Sequence, residues 1–165
     1  MSETLILSHE AIALKLDRIA WQILEHHHED SSIVLVGLVD RGSDVAQKIK
    51  SRLEKFSTKE IQILRIELDK LDALSSKIEL KNSDIIGGNS VILIDDVLNS
   101  GTTMAAAFME VLKHGPKSVK TAVLANRDHH KFPIQANYVG ISMATTLKEH
   151  ISYREVDGKM SVTLS

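Results

Sequence analysis

Apolar and polar positions along the chain follow two periods, and the switches between them mark out its elements. From Ser8 to about His28 the apolar residues Ile12, Leu16, Ile19, Ala20, Ile23 and Leu24 recur at helical spacing, and Ser8 is suited to cap the helix. Ile33-Val34-Leu35-Val36-Gly37-Leu38 is then continuously apolar, the pattern of a strand buried on both faces of a parallel sheet. A second helix is expected from Gly42 to about Leu53 and a second strand over Ile61 to Ile66. Leu68 to Gly88 is rich in Lys, Asp and Ser and reads as a loop or hairpin. Val91 to Asp95 is the clearest strand. A Ser-Gly-Thr-Thr turn follows it, then a helix from about Thr102 to His114 that Gly115-Pro116 stops. Val119 to Leu124 and Tyr138 to Ile141 are further strands, and Ile151 to Leu164 is a hairpin turned at Asp157-Gly158.

Strands alternating with helices predict an α/β fold with a mostly parallel, twisted sheet flanked by helices. At 165 residues the chain is expected to form one domain, 1–165. Ligands of such sheets lie at the carboxyl ends of the strands, which directs attention to Val39 to Gly42 and to Asp95 to Thr103. Composition narrows the chemistry further. Cysteine is absent, which excludes disulfides, thiolate zinc sites and thiol nucleophiles. A net charge of −2 gives no overall attraction to nucleic acid or to an anionic membrane. With no run of eighteen apolar residues and no basic, apolar leader at Met1-Ser2-Glu3-Thr4, a cytoplasmic protein without membrane contact is expected.

The string Val91-Ile-Leu-Ile-Asp95-Asp96-Val97-Leu98-Asn99-Ser100-Gly101-Thr102-Thr103 carries the most chemistry. Its turn presents backbone N–H groups, the hydroxyls of Ser100, Thr102 and Thr103 and the positive end of a helix, all favouring a phosphate dianion. Gly101 allows close backbone approach. Asp95 and Asp96 repel a phosphate but accept hydrogen bonds from neutral sugar hydroxyls, so phosphate and diol together point to a ribose 5-phosphate. A helix-capping Asp-Asp pair is the plain alternative. A Walker-type loop fails for want of a Lys after the glycine turn. The His26-His27-His28 run, at a helix end, reads as solvated structure and not as a metal site.

This string resembles the phosphoribosyl-diphosphate signature of type I phosphoribosyltransferases, with Asn99 where many members carry a small or hydroxyl residue. Further blocks, Leu16 to Ala20, Leu35 to Gly42, Pro133 to Gly140 and Glu155 to Gly158, resemble one branch, the bifunctional uracil phosphoribosyltransferases that also act as pyrimidine-operon attenuation regulators. The resemblance implies a hood formed mainly by 126–165 and a flexible loop at about 69–87. It implies that Val39, Asp40, Arg41 and Gly42 bind the diphosphate, through a loop that in the family often holds a non-proline cis peptide. Asp95 to Thr103 would bind the rest of the phosphoribosyl diphosphate. Asp95, Asp96 and Arg41 are the catalytic candidates, and Lys70 and Lys77 could reach the diphosphate from the loop. Arg65 and Glu67 resemble part of the family's Tyr-Arg-Asp-Asp strand end. In the hood, Arg127, His129, Val139 and Gly140 stand where the family holds the base.

The expected reaction is Mg²⁺-dependent transfer of phosphoribosyl to a nucleobase, uracil by resemblance, in nucleotide salvage. The Mg²⁺ is expected to be held mainly by phosphoribosyl diphosphate and water, with Asp95 and Asp96 as candidate protein ligands. A homo-oligomer, dimer or tetramer, is also expected. Two alternatives stand beside this reading. One is a pyrimidine-nucleotide-sensing RNA-binding regulator with weak catalysis, although Glu10, Asp17, Glu25 and Glu29 dilute the cations of the first helix. The other is a purine phosphoribosyltransferase, because the hood departs from the family at Asp128, His130, Lys131 and Ile141 to Ala144.

Overall fold

A computed structural model describes residues 2–165. Its elements in chain order are β1 (Thr4–Leu7), α1 (His9–His26), β2 (Ser32–Leu38), α2 (Arg41–Phe56), β3 (Glu60–Glu67), β4 (Glu79–Leu80), β5 (Ser90–Leu98), α3 (Thr102–Leu112), β6 (Ser118–Arg127), β7 (Tyr138–Met143), β8 (Ile151–Val156) and β9 (Lys159–Leu164). The main sheet runs β4-β3-β2-β5-β6-β7 and is parallel except for the antiparallel edge strand β4. The chain moves outward from β2 to β3 and then crosses back to β5 on the other side of β2. Strand order therefore reverses between β2 and β5, which opens a crevice at their carboxyl ends.

The continuous apolar runs of β2 and β5 are explained by burial on both sides. Ile33, Leu35, Ile92 and Ile94 join one core with α1 and α2, and Val34, Val36, Val91 and Leu93 join a second with α3. Ser8 caps α1 as expected, its Oγ accepting the Ala11 amide at 3.2 Å. Asp157 and Gly158 take left-handed φ of 50° and 75°, the twist a two-residue hairpin turn demands.

Three features depart from the sequence reading. Strand β1 is additional, and it completes an antiparallel sheet β1-β9-β8 whose residues Leu7, Ile151, Tyr153, Met160 and Val162 are continuous with the α1/α2 core. The hood expected over 126–165 thus borrows a strand from the other end of the chain, while β7 belongs to the main sheet. Within the stretch read as a loop or hairpin, β4 pairs antiparallel with β3 as a hairpin, and in place of one flexible loop at about 69–87 the rest forms a hydrogen-bonded turn at 69–76 and a 3-10 turn at Ser83–Ile86. His27 is buried, not solvated. Its Nδ1 meets Asp30 at 2.8 Å, and Asp30 also takes hydrogen bonds from Lys117 Nζ at 2.6 Å and Ser90 Oγ at 2.8 Å. The Lys117 ammonium first, and His27 second, hold the Asp30 carboxyl well below the usual range.

Gly140 on β7 shows how tightly the main sheet is fitted, since a Cβ there would stand 2.2 Å from the Leu124 carbonyl oxygen. Gly140→Ala is expected to push β7 from β6 and cost about 2–3 kcal/mol of stability, read as a lower urea midpoint.

Candidate active site

Strand β5 does not end at its acids but runs on to Leu98, so Asp95 and Asp96 lie inside the sheet, 3% and 7% exposed. Asp95 Oδ1 accepts the Asp96 amide at 2.9 Å and the Lys70 ammonium at 3.1 Å, and the same ammonium lies 3.8 Å from Asp96 Oδ1. Burial is the main force raising the Asp95 carboxyl, to about 8. The neighbouring Asp96 adds to it, and Lys70 pulls the other way. Gly42 makes this crowding possible, because a Cβ on it would meet Asp95 Oδ1 at 2.7 Å and the Ile94 carbonyl at 3.0 Å. The bare glycine brings the positive end of α2 against the acid.

Beyond Leu98 the chain makes the expected turn. Gly101 has φ 85°, which only glycine adopts without strain, and its carbonyl accepts the Ala105 amide at 2.9 Å as α3 begins. Ser100 and Thr102 share a hydroxyl hydrogen bond of 2.9 Å. The Ser100 carbonyl accepts the Lys131 amide at 2.8 Å and the Phe132 amide at 3.3 Å, so the segment after β6 braces the turn from outside. On the opposite side Asp40 connects β2 to α2 with φ 62° and ψ −112°, a conformation that a non-glycine residue holds at a cost. The cis peptide that the resemblance suggested is not there: the peptides of the described residues are all trans.

These parts enclose a cavity of about 470 Å³ lined by Asp40, Arg41, Asp95 to Gly101 and Thr103. Val39, Gly42 and Thr102 are adjacent to it without lining it. Lys70, Leu71, Met104, His150 and Ile151 complete the wall, and apart from Lys70 the sequence reading had not singled them out. Hydrophobic pattern could not have found His150. It precedes β8, where its backbone pairs with Ser165 in both directions at 2.8 and 3.0 Å, and only that pairing carries it to the cavity.

The four expected base-contacting residues are not brought to this cavity. Arg127 spends its guanidinium on Thr145 Oγ1 at 2.6 Å and the Thr146 carbonyl at 2.7 Å. The carbonyls of Val139 and Gly140 accept Arg18 at 2.6 and 2.9 Å, and His129 is exposed. Arg65 also turns away, toward Glu67 at 2.5 Å and Asp40 at 3.7 Å, and Lys77 pairs with Glu79 at 3.6 Å on the surface. The cation that reaches the acids is Lys70.

A sheet that reverses its strand order over buried paired acids and a hydroxyl-lined helix start defines a phosphoribosyltransferase. The chain belongs to the phosphoribosyl transferase domain family, which it matches over residues 2–154. Among curated relatives, the bifunctional protein PyrR of Elusimicrobium minutum is 34% identical, over 98% of this chain and 96% of its own. That of Streptococcus thermophilus is 37% identical, over 90% and 89%. Among solved structures, the hypoxanthine phosphoribosyltransferase of Trypanosoma cruzi superposes with a TM-score of 0.80 at 16% identity, covering 96% of this chain and 95% of that one. A hypoxanthine-guanine phosphoribosyltransferase of Bacillus anthracis gives 0.77 at 20% identity, covering 96% of each. Among the described residues no helix is long and apolar enough to cross a membrane.

The raised Asp95 carboxyl has a consequence for the free protein. Between its unfolded value near 3.8 and its folded value of about 8, the native state binds more protons than the unfolded state. Stability therefore falls as pH rises through that window. Asp95→Asn, which keeps the Oδ1 acceptor and removes the charge, is expected to flatten this fall and to raise the urea midpoint at pH 8. Urea melts at pH 5, 6.5 and 8 measure it, and an undiminished slope in the variant would assign the effect elsewhere.

Proposed function

We propose that the protein transfers the phosphoribosyl group of 5-phosphoribosyl 1-diphosphate to uracil in nucleotide salvage, with Mg²⁺. The observation that carries this reading is that one cavity is lined by Asp95 and Asp96, by Ser100, Gly101 and Thr103 at the start of α3, and by Arg41. The turn and helix end are suited to a terminal phosphate dianion. The acids are suited to the two ribose hydroxyls, which donate to carboxylate oxygens. Arg41, exposed at the start of α2, is suited to the diphosphate.

A ribose held at its phosphate and at its diol presents its anomeric carbon toward the open side of the cavity. Remote binding energy then orients the reacting centre. The bond from that carbon to the diphosphate oxygen breaks with its electron pair leaving on the diphosphate, and a bond forms to a ring nitrogen of the base, which gives up its proton to solvent. Positive charge grows on the sugar ring, close to the acids, while negative charge grows beside Arg41. No protein nucleophile is required. An oxygen-only donor pair fits Mg²⁺, and the ammonium of Lys70 already marks the space between the two Oδ1 atoms as favourable to a cation. When bound, the ion supplies neutralisation of the departing diphosphate.

Uracil is preferred because the resemblance to the uracil-specific branch runs through blocks spread along most of the chain. The purine enzymes among the solved structures bear on the fold alone. The relatives' description as bifunctional favours a second reading, a nucleotide-sensing RNA binder. That reading has lost one of its cations, because Arg18 is committed to the carbonyls of Val139 and Gly140. Homo-oligomer formation and a cytoplasmic location belong to the same proposal.

A base panel tests it. The protein is incubated with phosphoribosyl diphosphate, Mg²⁺ and uracil, hypoxanthine, guanine, adenine, xanthine or orotate in turn, and nucleotide is followed by chromatography. The expected product is the uracil nucleotide, and turnover of a purine alone would replace the assignment. Arg41→Ala is expected to lower kcat/KM by about 10²-fold with the fold intact. Unchanged turnover would remove Arg41 from the diphosphate site. Binding of an RNA hairpin that weakens steeply with salt would support the second reading.

A further inference from the structure

The proposed transfer leaves one requirement unmet, since the ring nitrogen of the base must shed a proton as it bonds to the sugar. Loss straight to water is unfavourable, because hydronium is a far stronger acid than a ring N–H. A lone pair of suitable basicity beside the base removes that obstacle. Subtraction places the base within the cavity. The hydroxyl-lined turn goes to the phosphate, Asp95 and Asp96 to the ribose hydroxyls, and Arg41 to the diphosphate. Lys70 is paired with the acids, so the wall left over is Leu71, Met104, His150 and Ile151. Met104 and Ile151 are buried and apolar, suited to the face of a planar ring.

Among the described residues that line this cavity, His150 alone carries an imidazole. The other polar side chains near the base are poor proton acceptors. Arg41 and Lys70 have donors only. Asp95 and Asp96 are engaged with Lys70 and, in the complex, with the diol, and Asp40 faces Arg65 at 3.7 Å. His26, His27 and His130 are each held by another side chain, whereas the exposed His150 ring holds none among the described residues. Its backbone is nonetheless fixed, by the two hydrogen bonds to Ser165 and by the neighbouring Ile151 in the core. A free ring thus stands on an anchored main chain. We infer that His150 is a catalytic residue, the group that receives the proton of the base's ring nitrogen. As the carbon–nitrogen bond forms, the N–H proton passes to the imidazole lone pair and its electron pair stays on the ring nitrogen, while the diphosphate leaves with the electrons of the carbon–oxygen bond. The imidazolium then hands the proton to solvent, to which the ring is open, and is reset for the next cycle. The charged groups around this relay are Lys148 and Glu149 in its own segment and Asp40, Arg41, Lys70, Asp95 and Asp96 in the cavity lining.

The inference rests on the proposed function, and the test keeps the two apart. Single-turnover nucleotide formation is measured for the wild type, His150→Gln and His150→Ala, with phosphoribosyl diphosphate, Mg²⁺ and the base that the panel identifies. The glutamine variant is expected to be slower by about 10²-fold near pH 8, with its calorimetric affinity for phosphoribosyl diphosphate unchanged. The ratio of wild-type to variant rate is expected to shrink as pH falls toward about 5, where an imidazole is protonated and accepts nothing. Titration of Asp95 or Asp96 affects both proteins alike and cancels in that ratio. Added imidazole is expected to accelerate the alanine variant and not the wild type. A ratio that does not change with pH, a loss confined to KM for the base, or an alanine variant that imidazole does not accelerate overturns the relay while leaving the proposed function standing. A wild-type protein that forms nucleotide from no base overturns both.

Discussion

Two carboxylates side by side inside the central strand of a sheet are the constraint around which this molecule is arranged. Burying even one charge without a partner is costly, and burying two of like sign is worse. Three neighbours make the pair tolerable. The Lys70 ammonium balances the charge, the Asp96 amide donates to Asp95, and a glycine at position 42 lets the positive end of α2 come up against the same acid. Burial and mutual repulsion still leave Asp95 holding its proton far more tightly than a free carboxyl. The site is thus kept at some expense of stability for what it can bind.

The cavity has two poles. Around Ser100, Gly101 and Thr103 it offers amides, hydroxyls and a helix start, which attract an anion. Around Asp95 and Asp96 it offers carboxyl oxygens with the Lys70 ammonium beside them, a setting suited to hydroxyls and cations. A ligand with a phosphate at one end and a diol in the middle can enter in one orientation, and the strained Asp40 backbone with Arg41 faces whatever group it carries beyond. Orientation follows from this charge pattern before any specific base contact is made.

What could be read in the sequence was whatever depends on neighbours in the chain. Strand, diacid, turn and helix from Val91 to Leu112 are contiguous, so periodicity and residue chemistry placed them with small errors at the ends. The length of β5 was missed because Asp95 and Asp96 look like a strand's polar end, and only the apposed Gly42 and Lys70 explain their burial. The turn of β2 into α2 was placed, but its unusual backbone at Asp40 was not, because composition carries no trace of φ. The base-contacting residues were transferred from a resemblance whose hood had already diverged. Here Arg127 is spent on Thr145 and Thr146, and Arg18, from a helix more than a hundred residues away in sequence, takes the carbonyls of Val139 and Gly140. Lys70 and His150 reach the cavity through tertiary contacts that no local pattern announces.

The pairing of Thr4 with Leu164 carries a consequence for how the molecule is made. During synthesis β1 emerges long before the β9 strand with which it pairs, a closure of high contact order. The six-stranded layer, with its acids and its hydroxyl-lined turn, needs none of β1, β8 or β9 for its own ladder. A nascent chain can therefore hold half of the cavity's lining in place while the wall bearing His150 and Ile151 is still missing, and the cavity is completed only when the β8–β9 hairpin docks.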